Sequence, residues 1–389
     1  MSERTLIESF NIGIKKGCDD SVCFSIPDNS SVSIVTTKNK FAAAPVILSR
    51  KHINLAKPKY ILVNSGNANA CTGQQGINNA LLCMKNLSKK FQCKKENILM
   101  FSTGIIGKQL PIQKMTNLIN KKTFKFKSTW KSAAKAIMTT DSTIKSIKKS
   151  FLVDNKKITI NAICKGAGMI EPNMATMLSF IEIDAKIPRS KLNSILKKSV
   201  DKSFNSISVD GDMSTNDSVV LIANGKNQIN FSKNSNIIKI EKNILDICQN
   251  LSKKIISDGE GATKIITIYI KGSKSYKEAK KIAYSISNSN LIKTAMFGSD
   301  PNWGRIIARL GSIENINLIP EKVIMKINGH NTFSRGMQDK LCDLKLLNKS
   351  MKRREISIEI LLNLGKYDFS MITSDLTTKY VSINSEYTS

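Results

Sequence analysis

From residue 11 to 46, apolar and polar positions alternate in short runs such as Ser31-Val32-Ser33-Ile34-Val35-Thr36-Thr37, separated by turn clusters such as Pro27-Asp28-Asn29-Ser30. A period of two between turn signals predicts a sheet of paired strands. The apolar run Tyr60-Ile61-Leu62-Val63 predicts a buried strand, followed by a loop of small residues and amides at 64–70 and a helix through 80–84. A second run, Ile98-Leu99-Met100-Phe101, empties into Ser102-Thr103-Gly104-Ile105-Ile106-Gly107. Two strands that each end in a glycine-containing loop predict one shared edge. Helical spacing over 130–137 ends in the hydroxyl-rich turn Met138-Thr139-Thr140-Asp141-Ser142, and 151–163 alternates again as strand.

In the second half, 187–204 carries helical spacing with Pro188 near its start. Ile244, Cys248, Leu251 and Ile255 fall on one face of a helix that stops at Asp258-Gly259-Glu260-Gly261. A strand at 265–270, a helix at 276–287 and strands near 323–327 and 356–362 follow. Strands and helices mix along the whole chain without a low-complexity linker or short repeat. The predicted class is α/β or α+β, with mixed sheets packed with helices.

The 389 residues are 41% hydrophobic, enough to fill a sizeable core. No run approaches the about 20 apolar residues that span a bilayer, and the start lacks a basic segment leading into an apolar one, so a cytoplasmic protein without a membrane partner is expected. The formal charge of +30 raises nucleic acid as a partner. Yet only eight of the 60 basic residues are arginine, and the 52 lysines are interspersed rather than gathered or placed beside aromatics. Solvated lysine faces, and no nucleic acid, are the expectation. Eight cysteines without a CxxC pair and two distant histidines, His52 and His330, argue against a metal site and predict reduced, buried thiols. If the chain is an enzyme, its base is not histidine.

The most unusual local sequence is Lys165-Gly166-Ala167-Gly168-Met169-Ile170-Glu171-Pro172-Asn173-Met174-Ala175-Thr176-Met177-Leu178-Ser179-Phe180. Glycines permit close backbone approach, Pro172 interrupts regular structure, and Thr176 opens an apolar run expected to be a buried strand. A hydroxyl there is well placed to attack the Ala175 carbonyl. An N-to-O acyl shift and hydrolysis would leave Thr176 with a free α-amine of pKa about 7.7–8.0, able to serve as base for its own hydroxyl. The plain alternative is a β-branched residue that merely begins a strand.

The segment from Lys165 through Ser179 resembles the self-cleavage signature KGxGMIxPxMATML of the bifunctional glutamate N-acetyltransferase/ornithine acetyltransferase family of arginine biosynthesis. The blocks at 64–73, 102–107, 209–217 (Val-Asp-Gly-Asp-Met-Ser-Thr-Asn-Asp), 258–264 and 293–305 resemble further family blocks in the expected order. The resemblance spans essentially the whole chain and implies a self-processing fold like that of related aminopeptidases. It implies a cut between Ala175 and Thr176, giving an α chain of 1–175 with the oxyanion and substrate loops and a β chain of 176–389. Thr176 is then the nucleophile that carries acetyl from N2-acetylornithine to glutamate in a ping-pong cycle.

By the same resemblance, Thr103 and Gly104 form the oxyanion hole, while Thr139, Lys165, Thr176, Glu260, Asn384 and Ser389 contact substrate. An α2β2 assembly is implied and no cofactor, with acetyl-CoA left open as a second acetyl donor. Asp210, Asp212 and Asp217 read as turns, since their spacing does not fit a calcium loop, and 300–305 reads as a packing and turn element. Two competing readings stay in view: an aminopeptidase-like hydrolase that passes its acyl group to water, and a basic nucleic-acid-binding protein.

Overall fold

The apolar runs of the first half become two sheets whose inner faces meet. The computed structural model describes residues 3–171 and 177–386. They form two compact units, one of residues 3–205 and 212–255, the other of 206–211 and 256–386.

The first unit begins with β1 (Leu6–Phe10), β2 (Ser21–Ser25), β3 (Ser31–Thr36), α1 (Ala44–Leu55), β4 (Tyr60–Asn67), α2 (Gly73–Lys90) and β5 (Ile98–Ile105). It continues with α3 (Ile112–Lys121), α4 (Trp130–Ile137), β6 (Lys145–Val153), β7 (Lys156–Lys165), β8 (Leu178–Lys186) and α5 (Arg189–Asp201). After the two-residue β9 (Ile207–Ser208), which belongs to the second unit, come β10 (Ser218–Gln228) and α6 (Asn234–Ser257). Among the described residues the strand orders are β1-β2-β4-β5 and β3-β10-β8-β7-β6. Both sheets are mixed, with β4–β5 and β8–β10 parallel and the other pairs antiparallel.

Val22, Phe24, Ile61 and Phe101 of the first sheet pack against Phe180, Val220 and Ile222 of the second, with Ala133 and Ala134 of α4. Phe180 stacks on Phe24 at 5.1 Å between ring centroids. On the outer face of the first sheet, Cys23, Leu62 and Met100 meet Cys83, Met84 and Leu87 of α2 and Met115 and Ile119 of α3. α5 lies against β3 and β10, and Cys164 of β7 approaches the Leu251 carbonyl of α6, so α5 and α6 cover the second sheet. Two sheets between two helical layers bury four faces of alternating side chains at once.

The second unit holds β11 (Ile265–Ser273), α7 (Tyr276–Ser287), α8 (Asn290–Phe297), α9 (Trp303–Gly311), β12 (Ile324–Ile327), β13 (His330–Ser334) and β14 (Met337–Gln338). α10 (Leu344–Met351), β15 (Glu355–Leu361), β16 (Tyr367–Ser374) and α11 (Thr378–Glu386) complete it. Its sheet runs β14-β13-β12-β15-β11-β16-β9. Ile266, Ile268 and Ile270 of β11 pack with Ile282 and Ile286 of α7, Met296 of α8, Ile306 of α9 and Met351 of α10.

The expected mixed sheets and most expected elements are present, with three corrections. Residues 44–46 are not strand but the first turn of α1, where Pro45 supplies a helical φ and lacks only an N–H that a first turn leaves unpaired anyway. The strands expected to stop at 63 and 101 continue to Asn67 and Ile105, because their small residues pair with each other. The single strand expected over 151–163 is a hairpin, β6 and β7, turning at Asp154 and Asn155, both in the left-handed region. Nor are all eight thiols buried. Cys23, Cys83, Cys164 and Cys248 are, but Cys18 and Cys71 are exposed.

Candidate active site

The ends of β4 and β5 lie side by side, with Ser65 opposite Thr103 and Gly66 opposite Gly104, and the register then shifts at Gly66 and Asn67. Gly104 has φ +129°, and a Cβ there would lie 2.3 Å from the Gly66 carbonyl carbon and 2.5 Å from the Asn67 nitrogen. Only glycine fits. Thr103 beside it is buried.

In the second sheet, Lys165 is the last residue of β7 and pairs with Leu178 at the start of β8, which pairs in turn with Ser218 at the start of β10. The buried Lys165 ammonium crosses to the first sheet, with Nζ 3.3 Å from Thr103 Oγ1. Two of the residues singled out in the sequence therefore meet across the sandwich.

Asp141 organises the surroundings. Its Oδ1 accepts from Lys145 Nζ and from the Gly166 N–H, each at 2.7 Å, and its Oδ2 accepts from the Thr139 N–H at 3.1 Å and lies 4.0 Å from Lys165 Nζ. Burial alone would raise the Asp141 carboxyl, but Lys165, Lys145 and the Gly166 N–H outweigh it and hold it below the usual carboxylate range. One carboxylate thus fixes the backbone of Thr139, the start of the Gly166 loop and the Lys165 ammonium. Such an edge offers a cation and a hydroxyl suited to a substrate carboxylate. Asp141 and Lys145 went unrecognised in the sequence. The only signal for them was an acid and a lysine four residues apart beside a hydroxyl-rich turn.

In the second unit, Asn384 on the exposed side of α11 donates to Glu260 Oε2 at 3.0 Å. Thr377 Oγ1 donates to the Gly261 carbonyl at 2.8 Å just before α11 begins. A Cβ on Gly261, whose φ is +69°, would lie 2.5 Å from the Tyr380 nitrogen, so glycine lets the helix approach closely. In the same unit, buried Lys293 Nζ donates to Thr373 Oγ1 at 3.1 Å and to the Ser374 carbonyl. Burial pushes its pKa down to about 8, against the opposing pull of Asp210 and Asp375. Ala175, Thr176 and Ser389 lie outside the described residues. Among the described residues, no group of three or more His, Cys, Asp or Glu side chains is arranged to hold a metal ion. His52 is buried with Nδ1 3.0 Å from the Ile98 carbonyl.

Comparison with known proteins places this edge in context. The model of the ArgJ family matches residues 6–389. The chain belongs to the ArgJ family. A relative in Clostridium acetobutylicum, arginine biosynthesis bifunctional protein ArgJ 1, is 43% identical over 386 residues, which span 97% of this chain and 94% of that protein. The mitochondrial ArgJ protein of Dictyostelium discoideum is 40% identical over 402 residues, spanning 97% and 91%. The crystal structure of the Bacillus halodurans ArgJ protein superposes with a TM-score of 0.51 at 33% identity, covering 55% of this chain and 100% of that one. The coverage of the Clostridium and Dictyostelium relatives in both directions means that each matches both units, not one alone.

Proposed function

We propose that this ArgJ-family chain is an acetyltransferase that moves acetyl from N2-acetylornithine to glutamate, using Thr176 as nucleophile after a cut at Ala175-Thr176. The observation that carries the reading is the buried Lys165–Thr103–Asp141 cluster, a carboxylate-ready cation beside a glycine-locked strand end, in which Lys165 and Thr103 come from two of the family's signature blocks.

In this mechanism the Thr176 α-amine takes the proton from Oγ as Oγ bonds to the acetyl carbon. The carbon–nitrogen bond to ornithine then breaks, and the amine returns that proton to the leaving nitrogen. Glutamate reverses the sequence: its amine attacks the acetyl ester, loses a proton to the Thr176 amine, and Oγ leaves with that proton. Thr103 and Gly104 supply the donors that stabilise the oxyanion in both halves, and Lys165 with Thr139 holds the amino-acid carboxylate. Glu260 meets the ornithine ammonium or orders the Thr176 amine, with Asn384 and Ser389 beside the substrate. The engagement of His52 with a backbone carbonyl supports an amine as the base.

The proposal includes an α2β2 assembly and a cytoplasmic setting; no helix among the described residues is long and apolar enough to cross a membrane. The test is mass spectrometry of the purified protein with an assay of acetylornithine plus glutamate beside acetyl-CoA plus glutamate. Two fragments with a new N-terminus at Thr176 and transfer from acetylornithine are expected. An intact chain, or transfer that survives Thr176→Ala, overturns the reading. The acetyl-CoA arm decides whether that donor is also used.

A further inference from the structure

Asn216 and Asp217 adjoin each other in the turn ahead of β10, yet their side chains hold different parts of the first unit. Asn216 Nδ2 donates to the carbonyls of Ser102 at 2.8 Å and Ala68 at 2.7 Å, both at the edge where β4 and β5 end. Asp217 Oδ1 accepts the Met177 N–H at 3.0 Å, and the Ser218 N–H donates to the Met177 carbonyl at 3.0 Å. Met177 is therefore held on both of its backbone groups.

The turn itself is anchored elsewhere. The Thr37 N–H donates to the Asp217 carbonyl at 2.9 Å, the Ala43 N–H to the Thr215 carbonyl at 2.9 Å, and Thr37 Oγ1 to the Ser214 carbonyl at 2.7 Å. Within the turn, Thr215 Oγ1 donates to Asn216 Oδ1 at 2.6 Å, which orients the amide toward the two carbonyls. Asp217 is fully buried, and with the Thr37 hydroxyl committed to Ser214 its Oδ2 has no hydrogen-bond partner among the described residues. A buried carboxyl with one idle oxygen is an expensive way to build a turn.

Ser102 immediately precedes Thr103, and Met177 immediately follows Thr176. We propose that Asn216 and Asp217 form a positioning clamp that ties Met177, the residue after the proposed cut, to the β4–β5 edge that carries Thr103 and Gly104. The clamp rests on the reading of Thr176 as nucleophile. Asp217 acts through Met177, and Asn216 through Ser102; neither touches substrate.

Burial pushes the Asp217 carboxyl above its usual range, with the Met177 N–H, Lys165 and the Thr37 side chain pulling the other way. An asparagine has the same shape and keeps an acceptor for Met177. The decisive experiment measures self-cleavage and steady-state transfer for Asp217→Asn, Asp217→Ala and Asn216→Ser, with melting temperature alongside.

Displacing a reacting group by about 1 Å costs about 10²-fold in rate, so Asp217→Ala is expected to lose kcat on that scale with KM for acetylornithine unchanged, since Lys165 and Thr139 are untouched. Asp217→Asn should restore kcat to within about threefold of the parent. Asn216→Ser, which shortens the other arm, should repeat the pattern and decides the matter where Asp217→Ala does not fold. Unchanged kcat in that variant, or in a folded Asp217→Ala, overturns the clamp, as does an Asp217→Asn as slow as Asp217→Ala, or a rise in KM that accounts for the loss. A parent protein uncut at Thr176, or an active Thr176→Ala, instead overturns the nucleophile reading beneath it.

Discussion

The two units present their candidate substrate groups in opposite ways. In the first, Lys165, Lys145, Asp141 and Asp217 are buried where strands of two sheets end; Asp141 holds backbone and a lysine side chain, and Asp217 holds the Met177 backbone. In the second, Asn384 and Glu260 meet through one hydrogen bond at the surface of a helix that ends the described chain. Buried groups are held accurately, but removing one leaves its partners charged and dry. Surface groups are held loosely and can be removed at little cost to the fold. In the first unit, therefore, folding and function share the same residues; in the second they separate.

The largest expected effect comes from Asp141→Ala, which strands two buried ammonium groups. A loss of about 3–5 kcal/mol in denaturant unfolding is expected, and a variant as stable as the parent would show that the cluster is not interlocked. Lys165→Met leaves Asp141 its contact with Lys145, so stability should fall less. Losing a charged hydrogen bond worth about 1.5–3 kcal/mol should raise KM for both amino-acid substrates at least about tenfold. Unchanged KM for both would remove Lys165 from carboxylate binding.

Lys293 carries the comparison into the interior of the second unit. Its folded pKa is lowered to about 8 from 10.5, so between those values the unfolded chain binds the extra proton. This group's contribution to stability therefore improves as pH rises from about 8 toward 10.5. From pH 7.5 to 9.5, the stability of the parent relative to Lys293→Met should rise by about 2 kcal/mol. A flat difference would mean that Lys293 is not desolvated. Asn384→Ala should give the smallest effect: a shift in stability within about 0.5 kcal/mol and a higher KM for acetylornithine. A large stability loss there would erase the contrast between the units.

Much of the first unit was legible because its signals are local. Helix α4 over 130–137, the buried face of α6 and the apolar opening of β8 each follow from a period within one segment. The meeting of the 64–70 and 102–107 segments was legible too, since two buried strands with glycine-rich ends have few other arrangements. Asp141 and Asp217 were not. An aspartate in a turn has the same local sequence whether it faces water or a buried lysine, and only the packing of a second sheet decides between them. The hairpin at 154–155 was hidden for a related reason, since alternation continues on both sides of the turn and hides the reversal.

The second sheet of the first unit takes β3, β6 and β7 from before residue 176 and β8 and β10 from after it, and pairs β7 with β8 and β3 with β10. A cut at Ala175-Thr176 would therefore run through a sheet whose halves remain hydrogen-bonded, and the molecule would lose its history rather than its shape. First folding is unimolecular, whereas any later refolding of the cut form requires two separate molecules to collide. Recovery of the cut protein from denaturant should quicken with protein concentration, while uncut Thr176→Ala recovers at a rate independent of it. If both recover alike, the strands do not pair across the cut as the sheet order requires.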